Sequence, residues 1–384
     1  MPNPVFARLP ISIFQYMTGL AVKHDAINLG QGFPDQDGPV GLRGVAARSL
    51  LEGPNQYPPS KGLAVLRQAV SAHDRKFYAL ENDPEDEVVI TSGGTEALAA
   101  CILGFAQAGE EFVLVEPSYD SYRPIVEAAG AVVKTVTLAP PDWQLTEEAL
   151  RAAIGPGTRA VLINSPHNPA GRVFSRGEME ALANVVAPTE AVVICDEVYE
   201  HLVYDGRPHI PLASLPGMRE RCLRIGSAGK IFSLTGWKVG WVTGPRQLVS
   251  VMTKAHQFLT FTTPPALQLG VAHGLAQEMD FPLQLTARLQ KNRDILAAGL
   301  TRLGFAVQPC EGTYFLTAGI AQLTNEKDLA FCERLVREAG VALIPLSAFF
   351  ESGTPDTYVR FAFCKQQALI EESLARLESY FATA

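Results

Sequence analysis

Positive charge is scarce in this sequence. Its 32 Lys and Arg are outnumbered by 40 Asp and Glu, for a net charge of −8, and no long basic run occurs. A nucleic-acid or anionic-membrane partner is therefore not expected. Long apolar runs are missing too: none approaches the roughly 18 residues a membrane helix needs. The opening stretch, Met1 to Ala21, has no basic n-region and is broken by Arg8, Pro10 and Gln15, so it is not expected to act as a signal peptide. The cysteines (Cys101, Cys195, Cys222, Cys310, Cys332 and Cys364) include no C-x-x-C pair. Several sit in apolar runs, which points to buried thiols in a reducing cytoplasm. The seven histidines show no H-x-x-x-H spacing, so no metal site is expected.

What is present suits a globular protein of more than one unit. At 384 residues the chain is long for a single core. From Glu87 the pattern alternates strand, turn and helix. Val88–Thr91 reads as a strand, Ser92-Gly93-Gly94-Thr95-Glu96 as a turn, and Ala97 to Gln107 as an apolar helix. Phe112 to Val115, Val132 to Leu138, Ala160 to Ile163, Ala191 to Cys195, Leu223 to Ile225 and Trp241 to Thr243 read as further strands. Thr146 and the Ser175/Glu178 capping box open helices between them, and Ser60 is the expected N-cap of a helix over 62–80. Such alternation predicts an α/β fold with a largely parallel sheet and helices on both faces. After about residue 280 the pattern shifts to a smaller α+β unit, joined by the N-terminal segment. The expected division is 45–280 for the large domain, and 1–44 with 281–384 for the small one.

Polar clusters fall at the C-terminal ends of the strands, where α/β sheets bind ligands. Asp196 follows five apolar residues, so it needs a cation such as a pyridinium, or else it caps a turn. Tyr199 lies three residues on. Asn168 and Tyr119 sit in turns after strands, suited to a ring or merely to the turn. Gly94 and Thr95 offer backbone amides at a helix N-terminus, where an anion binds; Ser227 and Lys238 add donors. Arg360 lies mid-strand between apolar residues, and binds either a ligand carboxylate or a protein one. Gly32 lies in Ile27-Asn28-Leu29-Gly30-Gln31-Gly32-Phe33-Pro34-Asp35, a loop where backbone can approach a ligand. Lys230, in Ser227-Ala228-Gly229-Lys230, is either a surface lysine or an amine desolvated enough to attack an aldehyde. The second reading makes it the carrier of pyridoxal 5'-phosphate.

Asn168-Pro169-x-Gly171, Asp196-x-x-Tyr199, Ser227-x-x-Lys230 and Arg360 together resemble the fold-type I, pyridoxal-phosphate-dependent class I/II aminotransferases, in order and spacing over nearly the whole chain. The resemblance implies a mostly parallel seven-stranded sheet sandwiched by helices, plus a smaller α+β domain. It implies that Lys230 carries the cofactor and shuttles the proton, and that Asp196 meets the pyridine nitrogen. Tyr199 and Asn168 would hold the ring oxygen, Tyr119 would stack on the ring, and Gly94, Thr95, Ser227 and Lys238 would take the phosphate. Arg360 and the Gly32 loop would hold the substrate carboxylate. Tyr57 would reach the partner's phosphate and Phe261 would wall the partner's pocket, which implies a homodimer. The implied reaction is ping-pong transfer of an α-amino group from an amino acid (methionine, aromatic or glutamine-like) to a 2-oxo acid.

Lysine at 238, where many relatives carry arginine, resembles the kynurenine/glutamine/methionine branch, as do the Asn28–Asp35 loop and His256-Gln257-Phe258-Leu259-Thr260-Phe261. N-succinyldiaminopimelate aminotransferases look similar here as well. Thr95 departs from the kynurenine enzymes, which carry an aromatic there. Two rivals stand: a C–S β-lyase on the same scaffold, and the aminotransferase-like domain of a transcription regulator. The latter carries a basic domain in front, whereas the first 44 residues here hold only Arg8, Lys23 and Arg43.

Overall fold

The computed structural model describes residues 1–383. The chain opens with α1 (Pro4–Arg8), α2 (Ile13–Lys23), strand β1 (Ile27–Asn28), α3 (Val40–Glu52) and α4 (Ala64–Tyr78). Then come β2 (Val88–Thr91), α5 (Gly94–Phe105), β3 (Glu111–Glu116), β4 (Val132–Thr137), β5 (Thr158–Asn164), β6 (Val192–Asp196), β7 (Cys222–Ser227) and β8 (Gly240–Thr243). These last seven strands form one sheet in the order β2-β8-β7-β6-β5-β3-β4. All neighbours are parallel except at β8, which runs antiparallel to β2 and β7. The middle strands β5, β6 and β7 are mostly apolar and buried along nearly their whole length, as a sheet covered on both faces requires.

A second, antiparallel sheet is built from β9 (Ala306–Val307), β10 (Phe315–Gly319), β12 (Ile344–Pro345) and β13 (Tyr358–Ala362), in the order β12-β13-β10-β9. The remaining strand, β11 (Val341–Ala342), pairs in parallel with β1, so the N-terminal segment is tied to the C-terminal part. Position 45 falls inside α3, whose Leu42 packs in the apolar cluster around Val88, Ile90 and Trp241.

Several local expectations change. Ser60 is not a cap: α4 begins at Ala64 after Leu63, and the Ser60 carbonyl accepts a hydrogen bond from His256 instead. Its buried face carries Arg67, His73 and Asp74 beside Leu66 and Val70, while Phe77 is exposed. The apolar helix after the double glycine starts at Gly94 rather than Ala97, with Gly93 as a cap that offers no side chain. A long helix, Asp280–Arg302, opens the C-terminal part, and Asp280 is an acidic first-turn residue that suits the helix dipole. Thr146 does cap its helix through Ala149, and the Ser175/Glu178 capping box forms. Finally, contrary to the expectation that no apolar run approaches membrane length, residues 4–23 are long and apolar enough, by length and composition, for a membrane span. The segment is two helices, interrupted at 9–12 around Pro10.

Candidate active site

All the singled-out residues except Tyr57 and Phe261 line one cavity of about 410 Å³. It lies at the C-terminal ends of β2, β5, β6 and β7. Arg360 and Phe315 from the second sheet, the Gln31–Phe33 loop and Phe14 of α2 face it from the other side.

Lys230 sits one residue from the end of a four-residue helix that follows β7 directly. Its Nζ donates to the Tyr314 hydroxyl at 2.5 Å and lies 5.3 and 5.1 Å from the ring centres of Tyr199 and Tyr314. Burial pulls its pKa down from 10.5 to about 8, so a useful fraction of the amine is neutral near physiological pH.

Asp196 ends β6 and is buried. The Tyr122 hydroxyl donates to its Oδ2 at 2.5 Å and the Val198 amide to Oδ1 at 3.4 Å. No cation among the described residues pairs with it, and burial raises its pKa to about 6. A buried carboxylate without a counter-ion is a receptor for a cationic N–H. Both readings of Asp196 survive, since it accepts a turn amide and still faces the cavity.

Arg360 is the mirror case. It is 1% exposed, and no carboxylate among the described residues lies within ion-pair distance. Its Nη1 donates to Asn168 Oδ1 at 2.8 Å and its Nη2 to the Gly30 carbonyl at 3.0 Å, while Nε has no partner. The guanidinium lies 3.8 Å from the Phe315 ring centre. Burial lowers its pKa to about 10. The structural ion pair is thus excluded for Arg360, leaving an oriented fork that suits a ligand carboxylate. With its carbonyl held by Arg360, Asn168 turns its amide donors elsewhere. Burial pushes the Tyr199 phenol well above its usual range, so it remains a donor.

The candidate anion cradle is the start of α5. Gly93 takes φ +82° and the amides of Gly94 and Thr95 open a helix with no side-chain cap. Close approach explains another glycine: a Cβ on Gly240 would lie 2.8 Å from the Gly93 carbonyl carbon and 3.0 Å from the Gly94 amide. Lys238, at φ +53°, and Ser227, at the end of β7, line the same corner. Tyr119 is half-buried, shares a hydrogen bond with Thr95 and touches Tyr122 edge-on at 5.8 Å. A Cβ on Gly32 would run into the Phe315 ring.

Tyr57 and Phe261 stand apart from the cavity. They pack edge to face at 5.4 Å and are 84% and 39% exposed.

The sequence did not point to Tyr122, Tyr314 or Asn164. Asn164 ends β5, accepts the Asn168 amide and donates to the Asp196 carbonyl. Tyr122 stands three residues beyond Tyr119 at a strand end, but its partnership with Asp196, 74 residues on, had no local signal. Tyr314 had none, because Thr313-Tyr314-Phe315-Leu316 reads simply as strand. Also missed was a buried charge cluster beneath the site. Arg224 of β7 meets Asp74 at 2.5 Å, binds Glu197 and Glu200, and stacks on Tyr78 at 4.4 Å. Because Glu197 and Glu200 flank Asp196 and Tyr199, the cluster braces the turn that carries both. His73 and His201 meet at 2.7 Å beside Glu200, a grouping that no local spacing announced. The Glu200 carboxylate there is already bound to Arg224.

A half-buried lysine and a helix N-terminus at the strand ends of the large sheet thus face an arginine of the second sheet across one cavity. Residues 24–377 match the family model for aminotransferase class I and II, and the chain belongs to that family. It is an aminotransferase of the pyridoxal-phosphate fold type I class. The chain is 45% identical to a probable N-succinyldiaminopimelate aminotransferase, DapC, of Mycobacterium tuberculosis over 377 residues, 95% of each chain. It is 37% identical to the methionine aminotransferase of Escherichia coli, over 98% of each. The solved N-succinyldiaminopimelate aminotransferase of M. tuberculosis superposes with a TM-score of 0.96 at 44% identity, covering 99% of this chain and 100% of that one. Enzymes of this family use pyridoxal phosphate.

Proposed function

We propose that this aminotransferase holds pyridoxal 5'-phosphate in the cavity and shares its sites across a homodimer in the cytoplasm. One observation carries the reading: two buried charges of opposite sign, Asp196 and Arg360, face one cavity with Lys230, and neither has a counter-ion among the described residues. Bound there, the cofactor supplies an aldehyde for Lys230 and an electron sink for charge developing at the substrate Cα. The Gly94 and Thr95 amides, Ser227 and Lys238 would hold its phosphate, and Asp196 its ring nitrogen. Tyr199 and Asn168 would donate to the ring oxygen, and Tyr119 would lie against the ring. Arg360 and the Gly32 loop would grip the substrate carboxylate. Lys230 would take the substrate Cα proton on its Nζ and return it.

Phe14, Phe33 and Phe315 wall the cavity, and among the described residues its cations are Lys230, Lys238 and Arg360. This favours a neutral donor side chain, of methionine, aromatic or glutamine type. The second reading, N-succinyldiaminopimelate as substrate, rests on the likeness to the M. tuberculosis protein and needs a further cation from the partner subunit. The exposed Tyr57–Phe261 pair supports the shared site. Six buried, unbridged cysteines support a reducing compartment. The pairing of β1 with β11 supports a small unit made of both chain ends, with the large unit starting at Val40.

The test is the absorbance spectrum of the purified protein with methionine, glutamine, phenylalanine, kynurenine, aspartate and N-succinyldiaminopimelate in turn. The expected outcome is loss of the cofactor band with the preferred donor and its return on adding a 2-oxo acid. A band that never converts while pyruvate accumulates identifies the β-lyase instead. No cofactor band after adding pyridoxal phosphate, or a Lys230→Ala variant with wild-type turnover, overturns the reading.

A further inference from the structure

The Tyr314 hydroxyl touches the one amine the chemistry needs. We propose that Tyr314 is a positioning residue for Lys230: a hydrogen-bond acceptor that aims the lysine amine and ties it to the carboxylate-binding loop at Gly32. The inference rests on Lys230 being the lysine that captures the cofactor.

Hydrogen-bond valence fixes which way each contact of the Tyr314 hydroxyl runs. A phenol has a single proton to give. Tyr314 lies 2.6 Å from the Gly32 carbonyl, which can only accept, so that proton is committed there. Towards Lys230 Nζ, at 2.5 Å, the phenol oxygen can therefore only accept. Burial raises the Tyr314 pKa well above its usual 10, so the group is not a base. An amine at the end of a free lysine stem rotates. Here one N–H is pinned, and the remaining positions on nitrogen are turned towards the cavity. The acceptor itself is rigid: Tyr314 is 1% exposed, with Tyr199 edge-on at 5.2 Å and Phe315 at 4.8 Å.

The other end of the link is the substrate side. The same loop gives its Gly30 carbonyl to Arg360. A carboxylate held by Arg360 and Gly32 thus settles against the backbone that fixes the Tyr314 proton, and through it the Lys230 amine. Accepting from nitrogen also favours the ammonium form. Of the other groups facing Lys230, Cys364 and Asp196 favour that form, while Lys238 and Arg360 oppose it.

The test compares wild type, Y314F and Y204F. Tyr204 is a buried control from the same region, whose hydroxyl donates to the Thr313 carbonyl. Each protein, stripped of cofactor, is mixed with pyridoxal phosphate across about pH 6–10, and covalent capture is followed by absorbance. Capture condenses the amine with the aldehyde and releases one water. Wild type is expected to inflect near pH 8. Y314F should inflect about one pH unit lower, because its ammonium loses an acceptor, with a plateau about tenfold slower. Y204F should move neither. In turnover, Y314F should lower kcat about tenfold and also raise KM for the amino donor several-fold, since Gly32 loses its donor. A Y314F profile with the wild-type inflection, however low its plateau, overturns the proposal, because purely structural damage slows capture without shifting it. Should Y314F fail to fold, 3-fluorotyrosine at 314 keeps the shape and weakens the acceptor. A smaller shift in the same direction is expected, and an unmoved inflection overturns the proposal. If wild type itself captures nothing, Lys230 is not the carrier and the cofactor reading falls first.

Discussion

Asp196 is a buried carboxylate that meets no cation among the described residues. Its carboxylate is held by a phenol and an amide, and burial lifts its pKa to about 6. If Asp196 meets a pyridinium N–H, as proposed, the ionised form is the one required, and cofactor affinity through this residue should be present above about pH 6 and fade as pH falls through it. Asp196→Asn keeps the shape and removes the charge. Cα-proton removal, read as deuterium exchange into the substrate, should slow by about 100-fold or more, while cofactor affinity drops much less. Exchange within a few-fold of wild type would count against the electron-sink role. The variant should also lose the wild-type fall in affinity around pH 6.

Among the elements, the start of α5 is held by a histidine whose protonation the geometry dictates. His256, on the helix Arg246–Leu259, lies 2.9 Å from Glu96 Oε1 through Nδ1 and 2.9 Å from the Ser60 carbonyl through Nε2. Both partners are acceptors, so both nitrogens donate and the ring is an imidazolium. Burial pulls its pKa down, but Glu96 and the main chains of Ser60 and Phe261 outweigh this, and the net shift is upward from 6.5. A raised folded-state pKa stabilises the fold fully below the unfolded value, and that stabilisation is lost as pH rises through the folded value. The expectation is a Tm difference between wild type and His256→Gln that is largest below about pH 6.5 and shrinks at higher pH, by about 1–3 °C in all. Thermal unfolding across that range checks it; a difference independent of pH would mean the ring is neutral. Because His256 joins Glu96 at the anion cradle to the segments carrying Tyr57 and Phe261, the variant should also hold phosphate less firmly.

For the whole molecule, what the sequence made legible was what repeats locally. Apolar runs ending in polar turns gave the sheet, because each strand end places its own cluster, and Asp196, Asn168 and Ser227 all followed from that rule. The second sheet was visible only as a change of rhythm, since β9, β11 and β12 are two residues long and owe their existence to partners far along the chain. Tyr122, Tyr314 and the Arg224 cluster were hidden for the same reason. Their partners lie 74, 84 and up to 150 residues away, so no spacing encodes them. Tyr57 and Phe261 pose the opposite problem: both were named, yet neither reaches this chain's own cavity. If they serve a partner's site, that site is incomplete in one chain, and complementation reads this directly. Lys230→Ala and Tyr57→Ala proteins should each be nearly inactive. Mixed, unfolded and refolded together, half the dimers become hybrids with one intact site, combining Lys230 from one chain with Tyr57 from the other. Activity should return to about a quarter of wild type by that arithmetic. If Tyr57 acts within its own chain, no hybrid holds an intact site and the mixture stays as inactive as its parts.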